Sequence, residues 1–137
     1  MKNKTSIIIV VWGIAVLCTL FLSSCKRPEV LDNSTLVNSA RNVALTFGPA
    51  YVPFFKEANV SDVQVFKKED YGDSFSEIQK QFGRKYYTIT FTYDSTAVKF
   101  DFGFAARVRI WKDTGEPLDV IFGNGWGRNF LFKTFVE

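Results

Sequence analysis

The strongest constraint on the fold is a long alternation of apolar and polar residues in the second half of the chain. Tyr87, Ile89, Phe91 and Tyr93 alternate with threonines, and every even position from 98 to 110 is apolar. This period of two is typical of strands with one buried face. It predicts one strand beginning near residue 85, a turn at 94–96, and one long strand over 98–110. Since so long a strand is unusual, we expect it to bend at Gly103.

Turn residues divide the rest of this region into further strands. Residues 112–117 predict a hairpin turn, and residues 118–122 a strand. Residues 123–128 predict another turn, because Asn-Gly, here Asn124-Gly125, is a strong hairpin dipeptide. Residues 130–136 then predict the last strand. A shorter alternation at Val63 and Val65 predicts a strand over 62–67.

Two helices are predicted before the main strands. Residues 34–47 place apolar side chains on one helical face, with Asn33 or Ser34 as the cap and Gly48 as the end. Residues 74–82 form a shorter helix, in which Ser74 and Glu77 have the spacing of a capping box. Residues 49–59 contain two prolines and predict a loop or a short edge strand.

These elements together predict an α+β fold. One or two N-terminal helices would pack on one face of a curved four- to five-stranded antiparallel meander sheet. The order of elements is similar to that of cystatin-like and NTF2-like folds. That similarity lies in element order alone, and it implies little about function.

The N-terminus has the features of a secretion signal. Lys2 and Lys4 precede an uncharged apolar run at 7–22, which is shorter than the roughly 20 residues of a membrane span. The run ends in Leu22-Ser23-Ser24-Cys25, which resembles the lipobox of bacterial lipoproteins. The resemblance covers residues 1–25. It implies cleavage before Cys25 and lipidation of the Cys25 thiol.

The resemblance also implies a domain division and a location. Residues 1–24 would be the signal peptide, residues 25–33 a tether, and residues 34–137 a single α+β domain. Lys26 follows Cys25, which favours the outer membrane in a two-membraned bacterium, or the outer face of the plasma membrane otherwise. The alternative is an uncleaved signal anchor in which Cys25 is incidental.

Composition excludes several kinds of function. The chain contains no histidine, so histidine-based triads and histidine-ligated zinc sites are excluded. A net charge of +3 is too small to indicate nucleic-acid binding. The carboxylates are scattered without metal-ligand spacing. We therefore expect no metal, no cofactor and no catalytic residues.

The candidate binding residues are Arg107, Arg109, Trp111 and Trp126. The first three share the polar face of the predicted long strand, where Thr88, Thr90 and Thr92 are possible neighbours. This face would be a cationic, partly aromatic surface for an acidic ligand or glycan, or a solvated face whose arginines are countered by acids. Trp126 lies in a glycine-rich turn, where it either packs on the core or anchors a partner.

Two short motifs have simpler explanations as turns. Asp113-Thr114-Gly115 matches the tripeptide of aspartic proteases, but it occurs once and its residues also favour a turn. The glycines at 123–127 precede a predicted strand, whereas a phosphate-binding loop precedes a helix.

The sequence therefore predicts a lipid-anchored envelope protein with a small non-catalytic binding domain. Its partner would be an envelope protein, a glycan or a small ligand. One alternative is a small hydrolase that uses carboxylates. Another is an inhibitor or immunity-type lipoprotein that presents Trp126 to an enzyme.

Overall fold

The structure is a computed structural model that describes residues 31–70 and 76–131. This part of the chain has an α+β fold, in which the helices precede the four consecutive strands at the end. The helices are α1 (Asn33–Phe47) and α2 (Ser76–Gln79), with 3-10 helices at Pro49–Phe54 and Lys68–Asp70. The strands are β1 (Ala58–Val60), β2 (Gln64–Val65), β3 (Lys85–Phe91), β4 (Ala106–Trp111), β5 (Pro117–Phe122) and β6 (Gly127–Asn129).

All six strands form one antiparallel sheet. Its order is β1-β3-β4-β5-β6, and β2 pairs with β3 beside β1. The predicted α+β class is confirmed, and the described sheet has six strands rather than four or five. The additional strand is β1, which lies within the segment predicted as a loop or short edge strand. The rest of that segment forms the 3-10 helix Pro49–Phe54, because Pro49 is compatible with the first turn of a helix.

Helix α1 covers one face of the sheet, which we call the helix face. Leu36, Ala40 and Ala44 are spaced by four residues and are fully buried against this face. Small alanines allow the helix to lie close to the strands. The helix was predicted correctly except for its cap, since the carboxylate of Asp32 accepts the Thr35 amide at 2.7 Å. Leu31, which was assigned to the tether, packs against this core.

A second, smaller core lies at one end of the sheet. Phe66, Ile78, Tyr86, Trp111 and Leu118 are buried together there, with Phe82 and Leu131 beside them. Ile78 comes from α2, so the predicted second helix exists, and its described part is the four residues Ser76–Gln79. Its predicted cap, Ser74, lies outside the described residues.

The predicted long strand was wrong over its first half. Only Ala106–Trp111 pairs as a strand, and residues 98–105 are irregular. The aromatic side chains of this segment pack on one another: Phe100 contacts Tyr51 and Tyr93, and Phe102 stacks on Phe104. The alternation therefore reflects aromatic packing there. The irregularity within β4 lies at Arg109/Ile110 instead of at Gly103.

Two other strand predictions need correction. The strand predicted over 62–67 is only two residues long, Gln64–Val65. Val63 and Val65, whose alternation predicted it, are each 39% exposed, and the buried residue of the segment is Phe66. Residues 130–131 of the predicted last strand are not in a strand, and residues 132–136 lie outside the described part, where the prediction is not tested. The last described strand is Gly127–Asn129. Turns lie where they were predicted before β5 and β6, and Gly115 and Gly125 have the positive φ that favours glycine there. Both turns are shorter than predicted, because Pro117 belongs to β5 and Gly127 to β6. Among the described helices, none is long and apolar enough to cross a membrane.

Candidate functional site

The face of the sheet opposite α1 carries rows of polar side chains, which we call the open face. The strand register places Thr88, Arg109 and Asp119 in one row across β3, β4 and β5. The next row along the strands contains Thr90, Arg107 and Ile121. The second core covers the end of this face that includes Tyr86 and Trp111, and among the described residues it does not extend over these two rows.

The two rows form the floor of an open groove, which we call the polar groove. Its volume is about 530 Å³, within the range of roughly 300–1,000 Å³ that is usual for small-molecule sites. Its lining consists of Ser61, Gln64, Tyr86, Thr88, Thr90, Arg107, Arg109, Asp119 and Ile121. Hydroxyl, amide and guanidinium groups predominate, so the lining of the groove can both donate and accept hydrogen bonds.

Arg109 is held by Asp119 within the groove. Its Nε donates to Oδ1 at 2.9 Å and to Oδ2 at 3.0 Å, and its Nη2 also donates to Oδ2. The Asp119 residue is only 5% exposed. The guanidinium also lies 5.4 Å from the centroid of the Tyr86 ring and covers it. For Arg109, the expectation that an acid counters its charge was correct.

Arg107 has a different environment from Arg109. It is exposed, and its guanidinium carbon lies 4.3 Å above the ring of the buried Phe104. Among the described residues, no carboxylate lies within 4.0 Å of its nitrogens. The groove therefore contains one neutralised arginine and one arginine whose charge is uncompensated.

Trp111 does not contribute to an exposed surface. It is 3% exposed, packs edge-on against Phe66 and Tyr86, and lies under the guanidinium of Arg84 at 4.0 Å. The polar face of β4 is thus aromatic only where the second core covers it. Thr92 also lies away from the groove, since its hydroxyl oxygen accepts the Glu57 amide at 3.1 Å.

The Asp113-Thr114-Gly115 tripeptide lies in the turn between β4 and β5. Arg84 donates to both oxygens of Asp113, at 3.0 and 2.7 Å. The Gly115 amide donates to the Trp111 carbonyl and closes the turn. The turn interpretation of this tripeptide was correct.

Trp126 lies apart from the groove, on the side of the helix face. It is 48% exposed, yet its ring stacks on Phe122 at 5.4 Å, and Phe122 belongs to the core beneath α1. The interpretation that Trp126 packs on the core is therefore correct in part, and its role as an anchor for a partner stays a prediction. With Phe54 and Phe102, which are 39% and 47% exposed, it forms what we call the aromatic end.

Some groove residues were missed as candidates. Asp119 was one of many scattered acids, and no motif singled out Gln64. The threonines at 88 and 90 were recognised only as possible neighbours, because register with β4 cannot be read from composition. Cys25, the predicted lipidation site, lies outside the described residues.

The described lining of the groove contains one carboxylate. A glycosidase needs two facing carboxylates, and Asp119 is the one carboxylate among the described residues that line the groove. Both of its oxygens are engaged by Arg109. No group of three potential metal ligands occurs in the described part of the chain.

No family model, curated protein or solved structure matches the chain.

Proposed function

We propose that this protein is a lipid-anchored component of a bacterial cell envelope whose small α+β domain binds a ligand or partner without catalysis. The observation that carries the binding role is the polar groove. Antiparallel sheets commonly bury one face and expose the other, and here part of the second face is a groove lined by polar side chains.

We also propose that the fold belongs to the cystatin-like or NTF2-like type. A helix that precedes an antiparallel sheet and covers one of its faces supports a cystatin-like or NTF2-like order. The described sheet has six strands, one more than the largest predicted number, and the additional strand is β1.

The lipid anchor rests on the sequence around Cys25. Intact mass of the membrane-extracted protein, measured beside a Cys25→Ala variant, tests it directly. We expect a species that starts at Cys25 with added acyl mass, and no such species in the variant. A full-length, unlipidated species would overturn the anchor and would favour the uncleaved signal anchor.

Crosslinking in intact cells tests the binding role. A photoreactive amino acid replaces Asn59, an exposed residue that pairs with Thr90 at the rim of the groove. The matched control replaces Asn42, an exposed residue on α1. We expect an adduct from position 59 and none from position 42. Adducts of equal yield from both positions, or none from either, would contradict binding at the open face.

The inhibitor or immunity-type alternative is favoured by one observation, the half-exposed ring of Trp126. It requires a folded protein partner at the aromatic end. A crosslinker at Asn124, in the same turn, would then give a protein adduct, and Trp126→Ala would abolish it with the fold intact. The hydrolase alternative has less support, because the groove offers a single carboxylate that is already paired.

A further inference from the structure

We propose that the polar groove recognises a small polar ligand through a carboxylate group, which Arg107 binds. This inference rests on the proposed function, since it assigns a ligand class to the same groove. It begins from the difference between the two arginines, which lie two residues apart on one strand and face the same way.

The charge balance of the groove favours a single negative charge on the ligand. Asp119 neutralises Arg109 through three hydrogen bonds, so that pair has no net charge to offer. Arg107 lies in the adjacent row, and no carboxylate of the described residues lies within 4.0 Å of its nitrogens. A dianion such as a phosphate monoester would have only one unpaired cation and would lie near the carboxylate of Asp119. A monoanion matches the net charge of the groove.

Arg107 is also oriented before a ligand arrives. Its guanidinium lies over Phe104, which is 6% exposed and fixed in the core. Stacking on a ring engages the face of the guanidinium and leaves its in-plane N–H groups free to donate. Two parallel N–H groups match the two oxygens of a carboxylate. The ring thus reduces the ordering cost of forming that pair.

The neighbours of Arg107 indicate what surrounds the carboxylate. Thr90 lies directly across from it on β3, and Asn59 follows in the same row on β1. Both can hydrogen-bond hydroxyl or amide groups of a ligand. Tyr86 is the one ring among the described residues that line the groove, and Arg109 lies over it, where it competes with the stacking of a sugar ring. Recognition would therefore depend on the carboxylate and on polar groups near it.

Such a carboxylate occurs on a sugar acid and on the end of a peptide, and calorimetry can distinguish them. The full chain, extracted from membranes in detergent, is titrated with glucuronate, N-acetyl-alanine, glucose and glucose 6-phosphate. We expect one or both carboxylates to bind roughly ten-fold or more tightly than glucose or the phosphate ester. Preference for glucuronate would assign a sugar acid, and preference for N-acetyl-alanine a peptide end.

Variants locate the interaction. Arg107→Gln removes the charge, and we expect it to weaken carboxylate binding by roughly ten-fold or more. The control is Arg128→Gln, an exposed arginine that stacks on Phe47 at 4.9 Å, on the side of the helix face. It should bind carboxylates like the wild type. Arg107→Lys keeps the charge but not the two-pronged geometry, so its affinity for carboxylates should lie between those of the wild type and Arg107→Gln.

Several outcomes would overturn the inference. These are equal binding of glucose and glucuronate, tighter binding of the phosphate ester, or unchanged carboxylate binding in Arg107→Gln. If the crosslink from position 59 persists while carboxylates fail, binding at the open face stands and only the ligand class falls. If neither the crosslink from position 59 nor carboxylate binding is observed, the proposed binding at the open face falls together with the inference.

Discussion

Arg109 on β4 and Asp119 on β5 form a two-pronged ion pair across neighbouring strands, and both side chains are largely removed from solvent. Their side chains are 20% and 8% exposed. A paired charge in such a place depends on its partner, because either charge alone would be left poorly solvated. The pair therefore stabilises the register of β4 on β5, next to the irregularity at Arg109/Ile110.

The first prediction concerns this pair. Asp119→Ala leaves the Arg109 charge without its partner, and we expect a loss of about 3 kcal/mol in the free energy of unfolding. Urea denaturation at pH 7 measures it. The matched control is Asp113→Ala, which breaks the more exposed pair with Arg84 and should cost no more than about 1 kcal/mol. Equal losses in the two variants would contradict the distinction.

A second prediction compares two glycines. A Cβ on Gly123 would lie 2.5 Å from the Phe104 carbonyl oxygen and 2.6 Å from the Phe100 ring. Gly123→Ala should therefore destabilise the fold by about 1–3 kcal/mol through overpacking. A Cβ on Gly103 would meet nothing within 4 Å, so Gly103→Ala should be within about 0.5 kcal/mol of the wild type. Thermal unfolding of both variants checks the contrast, and a large loss at Gly103 would contradict it.

The two tryptophans of the described part provide a third prediction. Trp111 is buried among Phe66, Tyr86 and Arg84, so Trp111→Ala should cost about 3–5 kcal/mol. Trp126 is half exposed and loses mainly its stacking on Phe122, so Trp126→Ala should cost about 1 kcal/mol. Chemical denaturation followed by circular dichroism measures both. A loss at Trp126 as large as that at Trp111 would mean that the aromatic end is part of the core.

A fourth prediction concerns acid. Hydrogen bonds from Thr96 and then Lys56 hold the pKa of the Asp94 carboxyl well below its ordinary value of 3.8. A lowered pKa in the folded state stabilises the protein above the unfolded pKa, and this stabilisation is lost as the pH falls through the folded pKa. We therefore expect wild type to have a higher melting temperature than Asp94→Asn at pH 6. The difference should shrink below about pH 4. A difference that stays constant with pH would contradict this.

Local patterns predicted the elements that depend on local interactions. The spacing of Leu36, Ala40 and Ala44 predicted α1, and the glycines at 115 and 125 predicted the hairpin turns. These succeed because a helical stripe, or a residue that tolerates positive φ, acts within a few positions of the chain. The alternation at 87–91 also succeeded, since β3 lies inside the sheet and helix α1 buries the face that carries Ile89 and Phe91.

The same alternation failed at 98–105, and the reason is tertiary. Phenylalanines at even positions look like a strand whether a neighbouring strand or other rings cover them. In this chain Tyr51 and Tyr93 pack on Phe100, so that segment has aromatic neighbours in place of strand pairing. Likewise the sequence predicted Trp111 on an exposed polar strand face. In the structure Phe66 and Ile78 of α2 pack over that end of the sheet and bury it.

The sequence by itself determined that the chain has an α+β fold with an antiparallel sheet, and it placed two arginines on one strand face. Only the tertiary structure decided that these arginines differ. Register brought Asp119 opposite Arg109 and Ile121 opposite Arg107, so one charge is neutralised and the other is not. Pairing between residues of distant strands depends on which strands become neighbours and where they align. A one-residue shift would have sent Asp119 to the other face of the sheet.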